Sequence, residues 1–404
     1  MQLVYLDNNA TTQPEDEVAR AMGEIHQSLW ANPSSIHRFG QLARQRVELA
    51  RSSMAKLIGC RDRNIIFTSG GTESNILALR GVLCKRLRAK GSGRRLLITT
   101  QIEHSAIREP AADMAESGVE LVHTPLDHDG VVEVDRFDEI LSELGPKSIV
   151  TLVSIQWANN ETGVIQPIDQ LMAICRSYQQ RSRAGVIFHC DATQAVGKLP
   201  VDVTAIGVDL LTWSAHKFHG PKGVGALYFR RGLKLHRQQP GGPQEQQWRG
   251  GTENTAGIVG MGTAAELARR FLKDEVQIKR LTALRDRFEA GILDRLPDTI
   301  INSGDAASGR LWNTSNLGFP GLEAEAILLG LSEKGVCASA GAACSSGSLD
   351  PSPVLLAMGV PRPIAHGSIR FSLSRHTTDE EIDRTIVIVP QIVQKLRKIL
   401  PVQM

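Results

Sequence analysis

The chain contains the run Val208-Asp-Leu-Leu-Thr-Trp-Ser-Ala-His-Lys-Phe-His-Gly-Pro-Lys-Gly-Val-Gly-Ala-Leu-Tyr-Phe229, in which two apolar segments flank a polar turn. The segments Val208–Trp213 and Gly223–Phe229 are short and apolar, and each is predicted to be a buried β-strand. Lys217 directly follows the first strand, beside a histidine and before a Gly-Pro turn. Desolvation at such a position lowers the pKa of a lysine amine and suits the amine to Schiff-base formation. Lys222 lies in the turn itself and is predicted to face solvent.

The same pattern continues on both sides of this run, from about residue 15 to residue 260, where short β-rich segments alternate with longer amphipathic stretches. This alternation predicts an α/β fold, with a mostly parallel seven-stranded sheet flanked by helices. Ligands bind to such sheets at the carboxyl ends of the strands, and the polar clusters of this chain lie there. The other five predicted strands are Asn64–Ser69, Arg95–Gln101, Val119–Pro125, Ser148–Trp157 and Gly185–Cys190.

The character of the sequence changes after the Gly/Pro/Gln-rich stretch Gln238–Gly251. A long helical pattern follows, from Glu253 to Leu296, and then an α+β region that ends in a charged helix, Asp379–Lys398. A chain of 404 residues exceeds what one hydrophobic core usually organises, so we predict two domains. They are a large domain, residues 15–261, and a smaller α+β domain, residues 1–14 together with 262–404.

The composition is that of a soluble globular protein, with 42% hydrophobic residues, 22% charged residues and a formal net charge of +3. A chain so close to neutral gives no reason to expect nucleic-acid or membrane binding, and no apolar run reaches the roughly 18 residues of a membrane helix. The N-terminus carries no secretion signal, so a reducing, cytoplasmic location is predicted. The six cysteines form no C-x-x-C pair and have no histidine at metal spacing, so neither a disulfide framework nor a metal site is predicted.

Two further polar clusters follow predicted strands. In Phe67-Thr-Ser-Gly-Gly-Thr-Glu-Ser-Asn75, paired glycines precede a helix, and the free N–H groups at a helix start bind phosphate. A tight turn capped by Thr72 and Ser74 would account for the same residues. In His189-Cys-Asp-Ala-Thr-Gln194, the buried carboxylate of Asp191 requires a cation, such as a protonated pyridine nitrogen or an arginine, unless it caps the segment that follows.

With these clusters in the order phosphate loop, aspartate, lysine, the chain resembles the cysteine desulfurases of the NifS and IscS type. These belong to the class V aminotransferase branch of the fold-type-I pyridoxal-phosphate enzymes. The most specific parts of the resemblance are the lysine cluster and Gly341-Ala-Ala-Cys-Ser-Ser-Gly-Ser348, and it extends over nearly the whole chain, from Tyr5–Thr12 and Asn32–His37 to Ser368–Ser372. The activity that it implies is removal of sulfur from L-cysteine, which leaves a persulfide on Cys344 and releases L-alanine.

The resemblance also implies roles for individual residues. Lys217 would link to pyridoxal phosphate as a Schiff base and move the substrate proton, and Asp191 would pair with the pyridinium nitrogen. His104 would stack on the ring and exchange a proton, and Arg370 would bind the substrate carboxylate together with Asn160. The remaining implied contacts are Asn160 and Gln194 at the 3′ oxygen; Gly71, Thr72, Ser214 and His216 at the phosphate; and Thr252 from the second subunit of a homodimer.

Plainer roles are open for several of these residues. Taken singly, His104 and Asn160 are ordinary core or turn residues, and Thr252 could be the N-cap of the helix that follows it. Arg370 could form an ion pair between the domains. The weaker candidates for binding the carboxylate are then Arg375 and Arg38.

The implied nucleophile lies among small residues, in Cys337-Ala-Ser-Ala-Gly-Ala-Ala-Cys-Ser-Ser-Gly-Ser-Leu-Asp-Pro351. Because this segment buries little apolar area, we predict that it is mobile, as a thiolate that carries sulfur outward requires. Cys337 is the competing cysteine and is assigned to packing. The alternative functions are a selenocysteine lyase, a plain class V aminotransferase, in which Cys344 is incidental, and a sulfur-relay component without catalysis.

The chain departs from the usual family pattern at two places. Ala342 stands where serine is common, and Gly241-Gly-Pro243 where three glycines are common. Neither change removes a reacting group. The chain ends at Met404 without the tail by which housekeeping desulfurases hold a scaffold, so the protein acceptor of sulfur, an iron–sulfur scaffold or another carrier, is left open.

Overall fold

The structure is a computed structural model. It describes residues 3–84, 94–145, 148–182, 185–303, 309–340 and 350–399, with the side chain of residue 149 excepted. The strands are β1 (Val4–Tyr5), β2 (Ile65–Thr68), β3 (Arg94–Thr99), β4 (Glu120–His123), β5 (Ser148–Gln156), β6 (Val186–Asp191), β7 (Leu210–Ser214), β8 (Gly225–Phe229), β9 (Ile300–Ile301), β10 (Thr314–Gly318), β11 (Val336–Cys337) and β12 (Ser368–Ser372). A seven-stranded sheet made of β2 to β8 forms the centre of the structure, and the other strands named here lie outside this sheet. The helices are α1 (Asp16–Ser28), α2 (Arg38–Ile58), α3 (Gly71–Leu83), α4 (Ser105–Glu116), α5 (Val134–Leu144), α6 (Ile168–Ser182), α7 (Val203–Ile206), α8 (Thr255–Phe271), α9 (Glu275–Arg295), α10 (Ala324–Glu333), α11 (Pro353–Ala357), α12 (Arg362–His366) and α13 (Asp379–Ile399).

The strand order in this sheet is β2-β8-β7-β6-β5-β3-β4. β8 runs antiparallel to its two neighbours, and the other adjacent pairs are parallel. The predicted α/β fold with a mostly parallel seven-stranded sheet is therefore confirmed. Because β2, β3, β5, β6 and β7 point the same way, the residues that follow them meet at one edge of the sheet.

Both faces of the sheet are covered by helices. Side chains alternate along a strand, so Val153 and Ile155 of β5 face the core shared with α2, α6 and α8, while Leu152 faces the core shared with α3 and α4. A strand buried on both faces needs apolar residues at consecutive positions. This requirement explains why the strands could be recognised as continuous apolar runs.

A second hydrophobic core lies outside the sheet, among β10, β12, α9, α10 and α13. In it, the rings of Phe288 and Phe371 lie 4.9 Å apart between centroids, in edge-to-face contact. This core includes Val4 of β1, which pairs with Val336 of β11, so the start of the chain packs against its C-terminal part. The proposed division into two domains stays a prediction.

The helical pattern predicted from Glu253 to Leu296 forms two helices, α8 and α9. The break occurs because the side chain of Asp274 accepts a hydrogen bond from Gln277 N at 3.0 Å and starts a new helix. Ala264 and Ala268 of α8 belong to the core of the sheet, so a domain boundary between α8 and α9 fits the packing better than one at residue 261. Within the described ranges, no helix combines the length and apolar character needed to cross a membrane.

Candidate active site

A cavity of about 930 Å³ opens at the carboxyl edge of the sheet. Residues that follow β2, β3, β5, β6 and β7 line it, together with the N-terminal segment and a residue of β12. The predicted site residues in its wall are Gly71, Thr72, His104, Asn160, Asp191, Gln194, Ser214, His216, Lys217 and Arg370. Asn9 and Arg370 both line this cavity, so segments 361 residues apart in the chain converge on one site.

The amine of Lys217 is held by main-chain carbonyls of the N-terminal segment. Lys217 lies in a short 3₁₀ turn after β7, and its Nζ donates to the carbonyl oxygens of Asn9 at 2.7 Å and Ala10 at 2.8 Å. The neighbouring Thr12 donates from its main-chain N to His216 O at 2.9 Å, which ties the two segments together. Lys222 is exposed, as predicted. The contact of Lys217 with the carbonyls of Asn9 and Ala10 was not predicted from the sequence, although both residues lie in the polar run Tyr5–Thr12 that supports the family resemblance.

Asp191 ends β6 and is buried, with 6% of its surface exposed. Its Oδ2 accepts from Asn75 Nδ2 at 2.8 Å and its Oδ1 from Thr193 N at 3.0 Å. The alternative interpretation of Asp191 as a helix N-cap is wrong, because a turn follows it and the next helix, α7, begins only at Val203. Its carboxylate is instead fixed in the cavity wall, where it can pair with a cation.

Glu103 is a second carboxyl group in the cavity wall, and it is fully buried. Its Oε1 accepts from Thr100 Oγ1 at 3.0 Å and from Gln156 N at 2.9 Å. Burial raises the pKa of Glu103 to about 8, and the charge of Asp191 adds to the rise, against the hydrogen bond from Gln156. The neutral, protonated form of Glu103 is therefore favoured at pH 7, which limits the negative charge beside Asp191.

The start of α3 forms a cradle for an anion. The helix begins at Gly71, and the first N–H groups of a helix have no intrahelical acceptor. A Cβ at Gly71 would lie only 3.2 Å from Thr193 Oγ1, so a larger residue would crowd this approach. The capping by Thr72 and Ser74 that we considered does not occur. Glu73 accepts from Ser69 N at 2.7 Å instead.

His216 lies beside the same cradle, where its Nδ1 is 3.2 Å from Thr11 Oγ1. Burial lowers the pKa of His216 to about 4, and the nearby Lys217, Lys222 and Lys198 add to the effect. The ring is therefore neutral at pH 7. It can take part in hydrogen bonds to an anion but carries no charge of its own.

The residues at this edge fit pyridoxal phosphate. They provide an amine at Lys217, a carboxylate at Asp191 and an anion cradle at Gly71. Thr193 Oγ1 is buried beside the cradle and has no hydrogen-bond partner within the part of the chain that the structure describes, so a donor or acceptor of a ligand would satisfy it.

His104 is the N-cap of α4, where its Nδ1 accepts from Ala106 N at 3.1 Å. A nitrogen that accepts carries no proton, so the proton of the neutral ring lies on Nε2. His104 thus has a structural role as a cap and also lines the cavity. Asn160 combines two roles in the same way, since its main-chain oxygen accepts from Asn9 Nδ2 at 3.1 Å while the residue lines the cavity.

Arg370 is 1% exposed and forms an ion pair within the protein. Its Nη2 lies 2.7 Å from Asp7 Oδ1, and its Nη1 donates to Asn160 O at 3.1 Å. Arg370 does form an ion pair, but Asp7 lies in the same predicted small domain, so this pair does not join the two domains. Its binding of a substrate carboxylate stays a prediction. Neither weaker candidate lines the cavity. Arg375 pairs with Glu15 at 2.6 Å, and Arg38 is exposed.

One predicted residue does not meet the others, and another lies outside the described residues. Thr252 is exposed and lies outside the cavity. It is not the N-cap of α8 either, because that helix begins at Thr255 and Asn254 accepts from Gly257 N at 3.0 Å. Cys344 lies outside the described residues, and the mobility of its segment therefore stays a prediction.

Within the described ranges, one group of side chains, Glu15, His219 and His376, lies close enough together to hold a metal ion. It is outside the cavity. Glu15 Oε1 already accepts from Arg375 Nη2 at 2.6 Å and lies 2.5 Å from His376 Nε2. The carboxylate of Glu15 is therefore already paired with the guanidinium of Arg375.

Comparison with known proteins gives a consistent result. The profile of the family "Aminotransferase class-V" matches residues 4–385. The chain is 45% identical over 401 residues to "Cysteine desulfurase 2" of Trichormus variabilis, covering 99% of this chain and 96% of the relative. It is 46% identical over 398 residues to "Cysteine desulfurase IscS" of Dictyoglomus turgidum, covering 98% and 96%. A solved structure described as a "NIFS-like protein" superposes with a TM-score of 0.87 at 34% identity, covering 98% of this chain and 100% of that one.

Proposed function

The chain belongs to the cysteine desulfurases of the class-V aminotransferase family, and on that premise we propose that it moves the sulfur of L-cysteine to Cys344 and releases L-alanine. It is a pyridoxal-phosphate enzyme. The observation that carries the proposal for the site is the convergence of Lys217, Asp191 and the α3 start on one cavity. These are the groups that such a cofactor needs.

When bound, pyridoxal phosphate supplies a carbonyl that bonds to amines and a ring that accepts electrons from the substrate. Lys217 would hold it covalently and then act as the base that takes the Cα proton of cysteine. The carbonyls of Asn9 and Ala10 keep this amine at a defined place, 2.7 and 2.8 Å away. Asp191 would face the ring nitrogen and keep it protonated, while Gly71, Thr72, Ser214 and His216 would hold the phosphate.

Arg370 and Asn160 would orient the substrate by its carboxylate, and His104 would stack on the ring. For Arg370 this role requires the carboxylate to share the guanidinium with Asp7 or to displace it, since Nη2 already lies 2.7 Å from Asp7 Oδ1. Gln194 would face the 3′ oxygen through its Nε2, which donates to Asn9 O at 3.0 Å. Each of these groups is fixed by a contact within the protein.

Cys344 would attack the substrate sulfur as a thiolate. A new S–S bond forms as the Cβ–S bond breaks, so Cys344 carries a persulfide. The electron pair of the broken bond stays with the carbon skeleton, which takes up a proton at Cβ and leaves as alanine. The described cysteines make poor competitors, because none of the five lines the cavity. Burial, followed by the charge of Asp7, raises the pKa of the Cys337 thiol, which disfavours its reactive form.

A paired substitution tests this assignment. Purified enzyme given L-cysteine and a thiol reductant should release sulfide and alanine in equal amounts. Cys344→Ala should lose both, while Cys337→Ala, the matched control, should keep them. If Cys344→Ala still releases alanine, Cys344 is not the nucleophile, and turnover of selenocysteine alone would indicate the lyase.

We propose further that the active enzyme is a homodimer in which Thr252 completes the partner's phosphate site. Its support is that Thr252 is exposed and lies outside the cavity of its own subunit. Mixing inactive Lys217→Ala chains with Thr252→Val chains should restore activity, because a mixed dimer contains one site with both native residues. Absence of restoration in dimers shown by light scattering to have exchanged subunits would reject the shared site.

The sulfur acceptor is a protein carrier or an iron–sulfur scaffold in this proposal, and the location is the cytoplasm. A pull-down with persulfide-loaded enzyme, with Cys344→Ala as the bait for comparison, should retain the acceptor only on the loaded form. Retention by both forms would indicate binding that is independent of sulfur transfer.

A further inference from the structure

Lys198 is a buried lysine close to Lys217 that has no role in the function proposed above. It follows β6, four residues after Gln194, and only 5% of its surface is exposed. Lysine is almost never buried to this degree unless it has partners. Burial, followed by the charges of Lys217 and Arg370, holds the pKa of Lys198 well below its usual value. These two cations are the charged groups that act on it.

The contacts of Lys198 fix the orientation of two amide side chains. Its Nζ donates to Asn9 Oδ1 at 2.8 Å and to Gln194 Oε1. Even a neutral lysine amine has two N–H bonds to donate, one for each of these oxygens, so both amide oxygens point toward it and both amide nitrogens point away. For Gln194, this directs Nε2 to Asn9 O, at 3.0 Å, on the side where the residue lines the cavity.

The same contacts connect Lys198 to Lys217 through one residue. The main-chain oxygen of Asn9 accepts from Gln194 Nε2 at 3.0 Å and from Lys217 Nζ at 2.7 Å. The side chain of Asn9 is held on its other side as well, where its Nδ2 donates to Thr314 Oγ1 at 2.9 Å. A change at Lys198 therefore reaches both Gln194 and the amine of Lys217.

The backbone around Lys198 is built to bring its side chain to this place. Gly197 has a φ of 81°, and a Cβ there would lie 2.5 Å from Cβ of Phe218, so only glycine fits the turn. On the other side, Trp312 Nε1 donates to Lys198 O at 3.1 Å. The backbone of Lys198 is thus held in place by the packing of Gly197 against Phe218 and by the hydrogen bond from Trp312.

We propose that Lys198 is a positioning residue of the desulfurase, which holds Gln194 so that its amide nitrogen faces the cofactor and keeps Asn9 in place for Lys217. The inference rests on the proposed function, because it needs Gln194 to meet the 3′ oxygen of the cofactor and Lys217 to bind it. Lys198 itself does not line the main cavity and acts through its two neighbours.

The test is a pH titration of the visible absorbance of the holoenzyme, which reports the protonation of the bond between Lys217 and the cofactor. In Lys198→Met, Gln194 loses its orienting donor and no longer stabilises the negative 3′ oxygen. The midpoint should therefore move up by about one pH unit. Lys222→Met is the matched control: it removes an exposed lysine from the turn after Lys217, where solvent screens the charge, and should leave the midpoint in place.

A double substitution separates positioning from simple packing. If Lys198 acts through Gln194, Lys198→Met should shift the midpoint much less in a Gln194→Leu background than in the native one. Thermal unfolding of each apoprotein identifies loss of fold, and Lys198→Gln, which keeps one donor, should show a smaller shift than Lys198→Met. An unchanged midpoint in a folded Lys198→Met protein, or an equal shift in both backgrounds, overturns the inference.

These outcomes differ from failure of the proposed function. If Lys217→Ala still forms the covalent bond or turns over cysteine, the function itself is wrong, whatever Lys198 does. If Lys217→Ala and Cys344→Ala are both inactive and Lys198→Met titrates like the native enzyme, only the role of Lys198 is rejected.

Discussion

Arg370 Nη2 lies 2.7 Å from Asp7 Oδ1, in an ion pair between residues 363 positions apart in the chain. The guanidinium is almost wholly buried, and its Nη1 donates to Asn160 O at 3.1 Å. A carboxylate that binds at Arg370 must compete with the carboxylate of Asp7. In the proposed function, this pair would therefore lower the affinity of Arg370 for the carboxylate of cysteine.

Replacement of Arg370 by lysine should weaken the binding of cysteine. A lysine cannot bind a carboxylate in two-pronged fashion, so KM should rise roughly tenfold, with a smaller change in kcat. Steady-state kinetics with L-cysteine measure both constants. A fall in kcat alone, with KM unchanged, would assign Arg370 to the ion pair only.

Asp7→Asn is the complementary change. It removes the competing anion but keeps the shape and one oxygen acceptor, so KM for cysteine should fall below the native value. The free energy of unfolding should decrease by roughly 1–3 kcal/mol, because the charge of Arg370 loses its partner. Urea unfolding of the apoprotein measures this cost. An increase in KM would contradict competition at Arg370.

Asp191→Asn should abolish most of the activity while leaving the fold intact. An amide does not stabilise a proton on the ring nitrogen, so kcat should fall by about 100-fold or more. The melting temperature should change little, since asparagine fills the same space beside Asn75 and Thr193. Asp113→Asn, at an exposed position, is the control. Native kcat in Asp191→Asn would remove the carboxylate from the reaction.

Glu103→Gln should stabilise the protein at alkaline pH. In the folded protein Glu103 has a pKa raised to about 8, while in the unfolded chain it ionises near 4.5, so the unfolded state binds fewer protons between these values. Stability from this group is therefore present at low pH and is lost as pH rises toward 8, by up to about 1.4 kcal/mol per pH unit. Glutamine does not ionise. The melting temperatures of the two proteins should agree near pH 4.5, and by pH 8.5 that of Glu103→Gln should be the higher. A difference that does not change with pH would show that ionisation of Glu103 does not affect stability.

Glu245→Ala should destabilise the protein strongly. Glu245 accepts from Arg51 Nη1 and Nη2 at 2.9 and 2.7 Å and from Phe67 N at 2.8 Å, and both charged side chains are buried. Loss of Glu245 leaves the buried guanidinium of Arg51 paired only with the half-exposed Glu48, and breaking a buried pair costs about 3–5 kcal/mol. The control is Asp113→Ala, which breaks an exposed pair with Arg80 and should cost about 1 kcal/mol or less. Urea unfolding compares the two, and similar losses would refute the role of burial.

Much of the fold was predictable because its strands are marked locally. All seven predicted strands of the large sheet form, with ends displaced by at most two residues. The polar clusters at Gly71, Asp191 and Lys217 could be combined into one site because parallel strands bring their carboxyl ends together. The break between α8 and α9 was missed, although Asp274 supplies the local signal for it.

The contacts of the site were not predictable in the same way. Nothing in the run Asp7–Thr12 indicates that the carbonyls of Asn9 and Ala10 hold Lys217, more than 200 residues away. Likewise, nothing in the sequence around Lys198 indicates that it is buried, since a single lysine after a glycine is common at a protein surface. Only packing shows that it is buried against Asn9.

The sequence by itself determined the strands of the large sheet, the sheet class and the types of chemical group that follow those strands. These depend on backbone hydrogen bonding and on the periodicity of apolar residues, which act between near neighbours in the chain. The tertiary structure alone decided the strand order, the pairing of Asp7 with Arg370 and the burial of Glu103 and Lys198. These depend on which distant segments share a desolvated space, and pKa values and ion pairs respond to that space rather than to local sequence.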